Sequence, residues 1–302
     1  MFLSLVIPSY NEEENIPLLF DLIKENLKNY EYECIFVDDG SSDNTFNQIK
    51  KLAENNSTVS GISLSRNFGH QIALLAGISQ AKGDVVIMLD ADGQHPPKVI
   101  NELIEQYKKG YDIVNTKRLQ TADTGFFKNT TSKLFYKIIN KLTDVKIEPS
   151  SSDFRLMSRK AVDAFLKFEE KDRFTRGLIS WMGFKQTFVE FKAPERMTGT
   201  SKYTLKKMVR FAWDGITSFS SKPLKFSMFA GLFSLLFGAV YSIYVLIEFI
   251  AGNTIPGWTS MMLIILVLGG IQLLSLGIIG EYLSRIFNES KNRPHFFIKE
   301  NC

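Results

Sequence analysis

Val85-Val86-Ile87-Met88-Leu89-Asp90-Ala91-Asp92-Gly93-Gln94 is the stretch on which the fold turns. An uninterrupted apolar run of this length is too short for a surface helix and fits a strand buried on both faces. It stops abruptly at two carboxylates. The same grammar recurs on the N-terminal side. Leu3–Ile7 is an apolar run that ends in Pro8-Ser9-Tyr10-Asn11-Glu12, and Tyr32–Val37 ends in Asp38-Asp39-Gly40-Ser41-Ser42-Asp43. Val59–Leu64 and Ile113–Val114 read as further strands. Helical patterns lie between them, through about Leu27, through about Ala53, over His70–Ala81 and over Pro97–Lys109. Strict alternation of strand and helix predicts an α/β domain with a mostly parallel sheet covered on both faces. In such sheets ligands bind beyond the carboxyl ends of the strands, where these polar loops converge.

The loop after Leu89 carries the sharpest chemistry. Asp90 and Asp92, one residue apart, repel each other unless a cation lies between them. Hard oxygen ligands suit Mg²⁺ or Mn²⁺, ions that commonly bind one or two carboxylates together with substrate phosphates. The pattern therefore predicts a metal held by Asp90 and Asp92, with Gln94 placed to orient or ligate, and a nucleoside diphosphate as ligand. Asp-x-Asp-Gly is also ordinary turn chemistry. No G-x-G-x-x-G follows the first strand and no G-x-x-x-x-G-K-[ST] is present, which argues against a dinucleotide fold or a P-loop.

The C-terminal third has a different composition. The chain of 302 residues has a net charge of +4, and two cysteines, Cys34 and Cys302, exclude a disulfide scaffold. Its mean hydropathy of −0.02 is that of a soluble protein. That average hides an uneven distribution. Residues 226–284 contain no Lys or Arg and only Glu248 and Glu281 as acids. Residues 192–225 carry eight basic residues against Glu195 and Asp214, a local excess of +6. A basic collar beside an apolar block predicts a membrane surface rather than nucleic acid.

Residues 226–250 and 261–283 are each long enough to cross about 30 Å of hydrocarbon. Ala251–Ser260, with Asn253, Pro256 and Gly257, reads as the turn between them. Basic residues flank the pair on both outer sides and none lies in the turn, so the positive-inside rule places both termini in the cytoplasm. Met1 runs straight into Phe2–Ile7 without the basic start and long apolar core of a signal peptide. Over residues 204–221, Leu205, Met208, Val209, Ala212, Trp213, Ile216 and Phe219 form one helical stripe, which predicts an amphipathic helix on the inner leaflet. The expected organisation is a cytoplasmic catalytic domain over 1–191, a basic juxtamembrane segment over 192–225, a two-helix hairpin over 226–284 and a cytoplasmic tail over 285–302.

These motifs resemble the family 2 glycosyltransferases of the GT-A fold. Ile7-Pro8-Ser9-Tyr10-Asn11-Glu12, Val37–Asp43 and Leu89–Pro97 carry the likeness. Ser65–Gly69, Ser152–Leu156, Phe174–Leu178, Glu195-Arg196 and Gly199–Tyr203 narrow it to polyprenyl-phosphate glycosyltransferases with two C-terminal spans, of the bactoprenol glucosyltransferase type, relatives of dolichol-phosphate mannose synthase. The resemblance implies that Pro8, Tyr10, Glu12 and Asp39 hold the nucleoside, with Asp38 either sharing that task or bracing its loop. It implies that Arg118, Lys128 and Ser132 cradle the acceptor phosphate, and that Arg196 and Lys202 close over the donor diphosphate. Asp153 stands where relatives bring a catalytic-site Asp, as base or as orienting group, and Arg155 is its candidate partner.

The implied reaction transfers a hexose from a UDP-sugar, UDP-glucose first, to undecaprenyl phosphate with inversion. UDP-N-acetylglucosamine, UDP-galactose and GDP-mannose are the alternative donors. Assembly as a homo-tetramer in a bacterial inner membrane is part of the same implication. Two spans are too few for the translocation channel of a processive polysaccharide synthase. A non-catalytic nucleotide-sugar sensor is the reading from another class, and the intact Asp90, Asp92, Arg196 and Lys202 argue against it.

Overall fold

The structure, a computed structural model, describes residues 1–119, 151–171, 173–192, 194, 216–217, 220–252 and 257–302. Lys128, Ser132, Arg196, Lys202 and nearly all of the expected amphipathic helix lie outside the described residues.

The N-terminal part alternates as expected: β1 (Phe2–Ser9), α1 (Asn15–Asn26), β2 (Glu31–Asp38), α2 (Thr45–Asn55), β3 (Val59–Leu64), α3 (His70–Gln80), β4 (Val85–Met88), α4 (Val99–Lys108) and β5 (Ile113–Arg118). After the described chain resumes come β6 (Ser151–Ser158), α5 (Arg159–Phe165), α6 (Thr175–Trp181) and β7 (Gln186–Phe191). Two long helices, α7 (Lys222–Ile250) and α8 (Trp258–Ser290), and a last strand, β8 (Ile298–Asn301), complete the order.

The strands form one sheet in the order β7-β5-β6-β4-β1-β2-β3-β8. The parallel set β4-β1-β2-β3 is the half that sequence periodicity anticipates. The other half departs from it. β6 enters antiparallel between β4 and β5, so β5 is not the direct neighbour of β4. β8 adds antiparallel to β3, so the end of the segment expected as a tail over 285–302 is part of the sheet.

The apolar runs have no polar face because both faces are covered. Leu3, Leu5, Ile7, Val85 and Ile87 pack beneath α1, α2 and α4, with Ile16, Leu19, Ile23, Ile49, Ile100 and Leu103. Their strand neighbours Val6, Val86 and Met88 pack on the other side against α3, α5 and α6, with Leu74, Ile78, Val162 and Leu178. Successive side chains point to opposite faces of a strand, so one continuous run serves two cores.

α7 and α8 begin and end beyond the apolar stretches, at Lys222 and Ser290. Their apolar windows bury nothing inside the protein. Tyr282 Oη on α8 donates to the Ser220 carbonyl, just ahead of α7, at 2.5 Å, and the Lys171 N–H donates to Glu289 Oε1 at 2.7 Å, which ties α8 to the α/β domain. Glu281 and Arg285 pair one helical turn apart, with Nε to Oε1 at 3.3 Å.

Candidate active site

The carboxyl ends of β1, β2 and β4 open on a cavity of about 290 Å³. Pro8, Tyr10, Glu12, Asp39, Asp90 and Asp92, all singled out from the sequence, line it, with Asn67, Gly69 and His70 as the further wall.

The first two loops hold each other. Asn11 takes a left-handed backbone, φ 55°, which a short amide side chain tolerates. Its N–H donates to Ser41 Oγ and its Oδ1 accepts from the Ser42 N–H, both at 2.9 Å. The Glu12 N–H donates to Thr45 Oγ1 at 2.8 Å, and Glu13 Oε2 accepts from the Asn44 N–H at 3.0 Å. Gly40 also has a positive φ, 66°, and a Cβ there would lie 2.5 Å from the Arg66 carbonyl carbon. Only glycine lets the Asp38–Ser42 turn lie this close to the Ser65–Gly69 loop.

The two acids of that turn divide their work. Asp38 lies outside the cavity lining: Oδ1 accepts from the Ser41 N–H at 3.0 Å and Oδ2 from Ser63 Oγ at 2.9 Å. Asp39 faces the cavity and accepts from the N–H groups of Phe68 and Gly69 at 2.7 and 2.9 Å. Burial pushes the Asp39 carboxyl up, against the opposing pull of those two N–H bonds. The Tyr10 ring is 47% exposed at the rim, an open aromatic face beside these acceptors.

The metal-type loop is anchored from behind by His95, which lies within the Leu89–Pro97 motif. The Asp90 N–H donates to His95 Nδ1 at 2.9 Å, so Nδ1 is an acceptor and Nε2 carries the hydrogen. Nε2 then donates to Ser152 Oγ at 2.6 Å. The ring stacks on Phe154 at 5.1 Å and meets Phe191 edge-on at 6.1 Å. One buried imidazole thus ties the Asp90–Asp92 loop to β6. Asp92 Oδ1 accepts from the Gln94 N–H at 3.0 Å, the turn chemistry expected of Asp-x-Asp-Gly. Gln94 Oε1 accepts from Arg118 Nη1 at 3.3 Å, which brings the end of β5 to the same loop.

Deeper in the cleft, His70 Nε2 lies 3.5 Å from Asp90 Oδ1 and 3.6 Å from Asp153 Oδ2. Burial works to lower His70, but its bond to Asp153 and the charges of Asp90 and Asp153 raise it to about 9. Its side chain keeps 40% exposure, so water weakens each of these attractions. Asp153 also accepts from Arg155 Nη2 at 3.2 Å, as expected, and from a fork of Arg176 Nε at 2.9 Å and Nη2 at 3.1 Å. Burial would raise the Asp153 carboxyl, yet Arg176, His70 and Arg155 together hold it well below the usual carboxylate range. Burial draws Arg155 down to about 10, which leaves it charged at neutral pH.

Among the described residues no group of three or more His, Cys, Asp and Glu could hold a metal unaided. Asp90 and Asp92 supply two cavity-facing carboxylates on one short loop, a donor set that fits a hard cation sharing its shell with a diphosphate.

Residues 4–166 match the family described as Glycosyl transferase family 2, and residues 222–286 match the GtrB C-terminal hairpin. The chain belongs to glycosyl transferase family 2. A family 2 relative, the bactoprenol glucosyl transferase of Shigella phage SfV, is 42% identical over 302 residues, covering 99% of this chain and 98% of that one. An uncharacterized glycosyltransferase of Synechocystis, sll0501, is 44% identical over 301 residues, covering 99% and 95%. Among solved structures, glucosyl-3-phosphoglycerate synthase from Mycobacterium tuberculosis in complex with Mn²⁺, UDP and phosphoglyceric acid aligns at TM-score 0.47 and 18% identity over 72% of this chain and 76% of that one. This glycosyltransferase has the mixed α/β sheet of the GT-A fold, and its two apolar helices associate it with a membrane.

Proposed function

We propose that the protein transfers glucose from UDP-glucose to a polyprenyl phosphate at the inner face of a bacterial cytoplasmic membrane. The observation that carries this reading is full-length similarity, hairpin included, to bactoprenol glucosyl transferases. The cleft geometry supports it, with acids from three strand ends facing one cavity in a domain whose chain continues into two apolar helices.

In this reading Tyr10 stacks on the uracil, while Glu12 and Asp39 accept hydrogen bonds from the base and ribose. Asp38 braces the turn. Asp90 and Asp92 would hold Mg²⁺ or Mn²⁺ against the diphosphate, and a bound cation would offset the charge of the departing UDP. Gln94 orients Arg118 from the same loop. Arg118, with Lys128 and Ser132, receives the acceptor phosphate, and Arg196 and Lys202 close over the diphosphate. Both helices span the bilayer with the termini in the cytoplasm, and the chains assemble as a homo-tetramer.

An oxygen of the lipid phosphate attacks the anomeric carbon. The bond from that carbon to the diphosphate oxygen breaks, UDP departs with the electron pair, and the configuration inverts. A phosphate monoester already carries a charge of about −1.5 to −2 at neutral pH, so no general base is needed. Asp153, ringed by two arginines and His70, acts as an orienting acceptor.

The test is extraction of label into organic solvent after incubating the detergent-solubilised protein with radiolabelled UDP-glucose and undecaprenyl phosphate. Mild acid should release glucose from the extracted lipid. Label that stays in the aqueous phase with UDP-glucose, but moves with another UDP- or GDP-sugar, corrects the donor. Label that never moves with any donor rejects the reaction.

A further inference from the structure

Asp153 is a heavily partnered carboxylate set against His70 of the cleft wall. Nitrogens from three elements face it: His70 and Gln71 on α3, Arg155 beside it on β6, and Arg176 on α6. Through His70 the cluster also reaches Asp90 at the end of β4. These partners are not equivalent. Arg155 lies two residues along the same strand, moves with Asp153, and shares Nη2 with the Ser152 carbonyl at 3.0 Å. His70 and Gln71 approach one oxygen at 3.6 and 3.4 Å, near or beyond the hydrogen-bond limit. Arg176 alone among the described residues grips both oxygens, at 2.9 and 3.1 Å, and it comes from a separate element. A two-point fork fixes the plane of a carboxylate as well as its charge. α6 is short, and its buried Leu178 and Ile179 seat it on the sheet. Thr175 and Arg176 begin it, so its packing delivers the guanidinium to Asp153.

We infer that Arg176 is a positioning residue whose fork holds Asp153 as a fixed acceptor for a hydroxyl of the donor sugar. The inference rests on the glycosyl-transfer reading above and deepens it. A side chain clamped by two arginines is a poor proton acceptor and a good oriented anion. Because its folded-state value lies below the ordinary carboxylate value, ionised Asp153 contributes stability above that ordinary value and loses it only as pH falls through the lowered one. Without Arg176, burial pushes the carboxyl up and the loss moves toward neutral pH.

The experiment is a double-mutant cycle on the full chain in detergent with UDP-glucose and undecaprenyl phosphate, using Arg176→Gln, Asp153→Asn and both together. Arg176→Gln should lower kcat about 10- to 100-fold, the range for partners that orient a site group. The pair should lie within about twofold of Asp153→Asn alone, because the fork has nothing left to hold. Every variant shares the acid limb of the acceptor phosphate, whose second ionisation lies near about 6. Arg176→Gln should add a second ionisation that steepens the limb and displaces it upward, and Arg176→Lys, which keeps the charge but not the fork, should show a smaller upward displacement. Multiplicative losses, or an Arg176→Gln profile parallel to wild type, overturn the inference. If Arg176→Gln does not fold, the Arg176→Lys profile decides alone: an acid limb displaced upward supports the inference and a parallel one rejects it. Wild type inactive with every donor rejects the reaction instead. The Asp153–Arg176 coupling is then read without activity, as a Tm difference between wild type and Arg176→Lys that narrows as pH falls from about 6 to 4.

Discussion

Leu5 and Leu235 are the same residue in two regions of one chain, and their surroundings are opposite. Leu5 sits in the middle of β1 at 0% exposure, and Leu235 sits midway along α7 at 71%. The contrast holds throughout the two regions. The sheet buries its apolar side chains on both faces, whereas Phe249, Ile250 and Leu273 on the hairpin are 74, 83 and 71% exposed. Water makes the first arrangement favourable and would penalise the second. The hairpin is stable only where hydrocarbon covers it, so the two regions use one residue type against two solvents.

The largest expected effect breaks the symmetry of that pair. Leu5→Ala should destabilise the α/β domain by about 2–5 kcal/mol, since it removes packing and leaves a cavity in a closed core. Leu235→Ala should cost under about 1 kcal/mol in the same detergent, whose tails fill the space as they fill the rest of the helix surface. Denaturant unfolding followed by tryptophan emission reads both. Equal losses would mean that α7 is packed in protein rather than lipid.

A charge sharpens the comparison from the other side. Leu273→Arg near the middle of α8 should cost about 3 kcal/mol of insertion free energy. The fraction of protein resisting alkaline extraction from membranes should fall accordingly. The same charge at an exposed position of the α/β domain such as Leu18, 51% exposed on α1, should leave that fraction unchanged. Resistance unaltered by Leu273→Arg would mean that the position faces water.

Both solvents were legible in the sequence because each leaves a periodic or compositional mark. Apolar runs of four to eight residues between helical patterns located β1 to β4 within two residues of their observed ends. Their polar terminations located Tyr10, Glu12, Asp39, Asp90 and Asp92 around one cavity. What stayed hidden depends on pairing between distant segments. Nothing local in Ser151–Ser158 says that β6 inserts between β4 and β5. His95 and Arg176 leave no periodic signal. Arg176 stood in the sequence inside the Phe174–Leu178 motif but without a role, and Asp153 was given Arg155, two residues away, as its partner, because a fork from another element depends on tertiary packing.

The smallest effect lies where the regions meet again. Ile298–Asn301 follows the hairpin in sequence but belongs to the sheet in space. Gly61 and Cys302 exchange reciprocal N–H bonds at 2.8 and 2.9 Å, and the Ser65 N–H donates to the Phe297 carbonyl at 2.9 Å. β3 runs from that ladder directly into the Ser65–His70 wall of the cleft, so the strand that follows the apolar helices braces that wall. The backbone ladder carries this attachment, and the side chains add little. Lys50 Nζ meets Glu300 Oε1 at 2.5 Å, but both side chains are about a third or more exposed, so water screens the pair. Lys50→Ala should therefore lower hydrogen-exchange protection of the Gly61 and Cys302 amides by no more than about fivefold, equivalent to at most about 1 kcal/mol. Complete loss of protection would show that the ion pair, and not the ladder, fastens β8 to the catalytic domain.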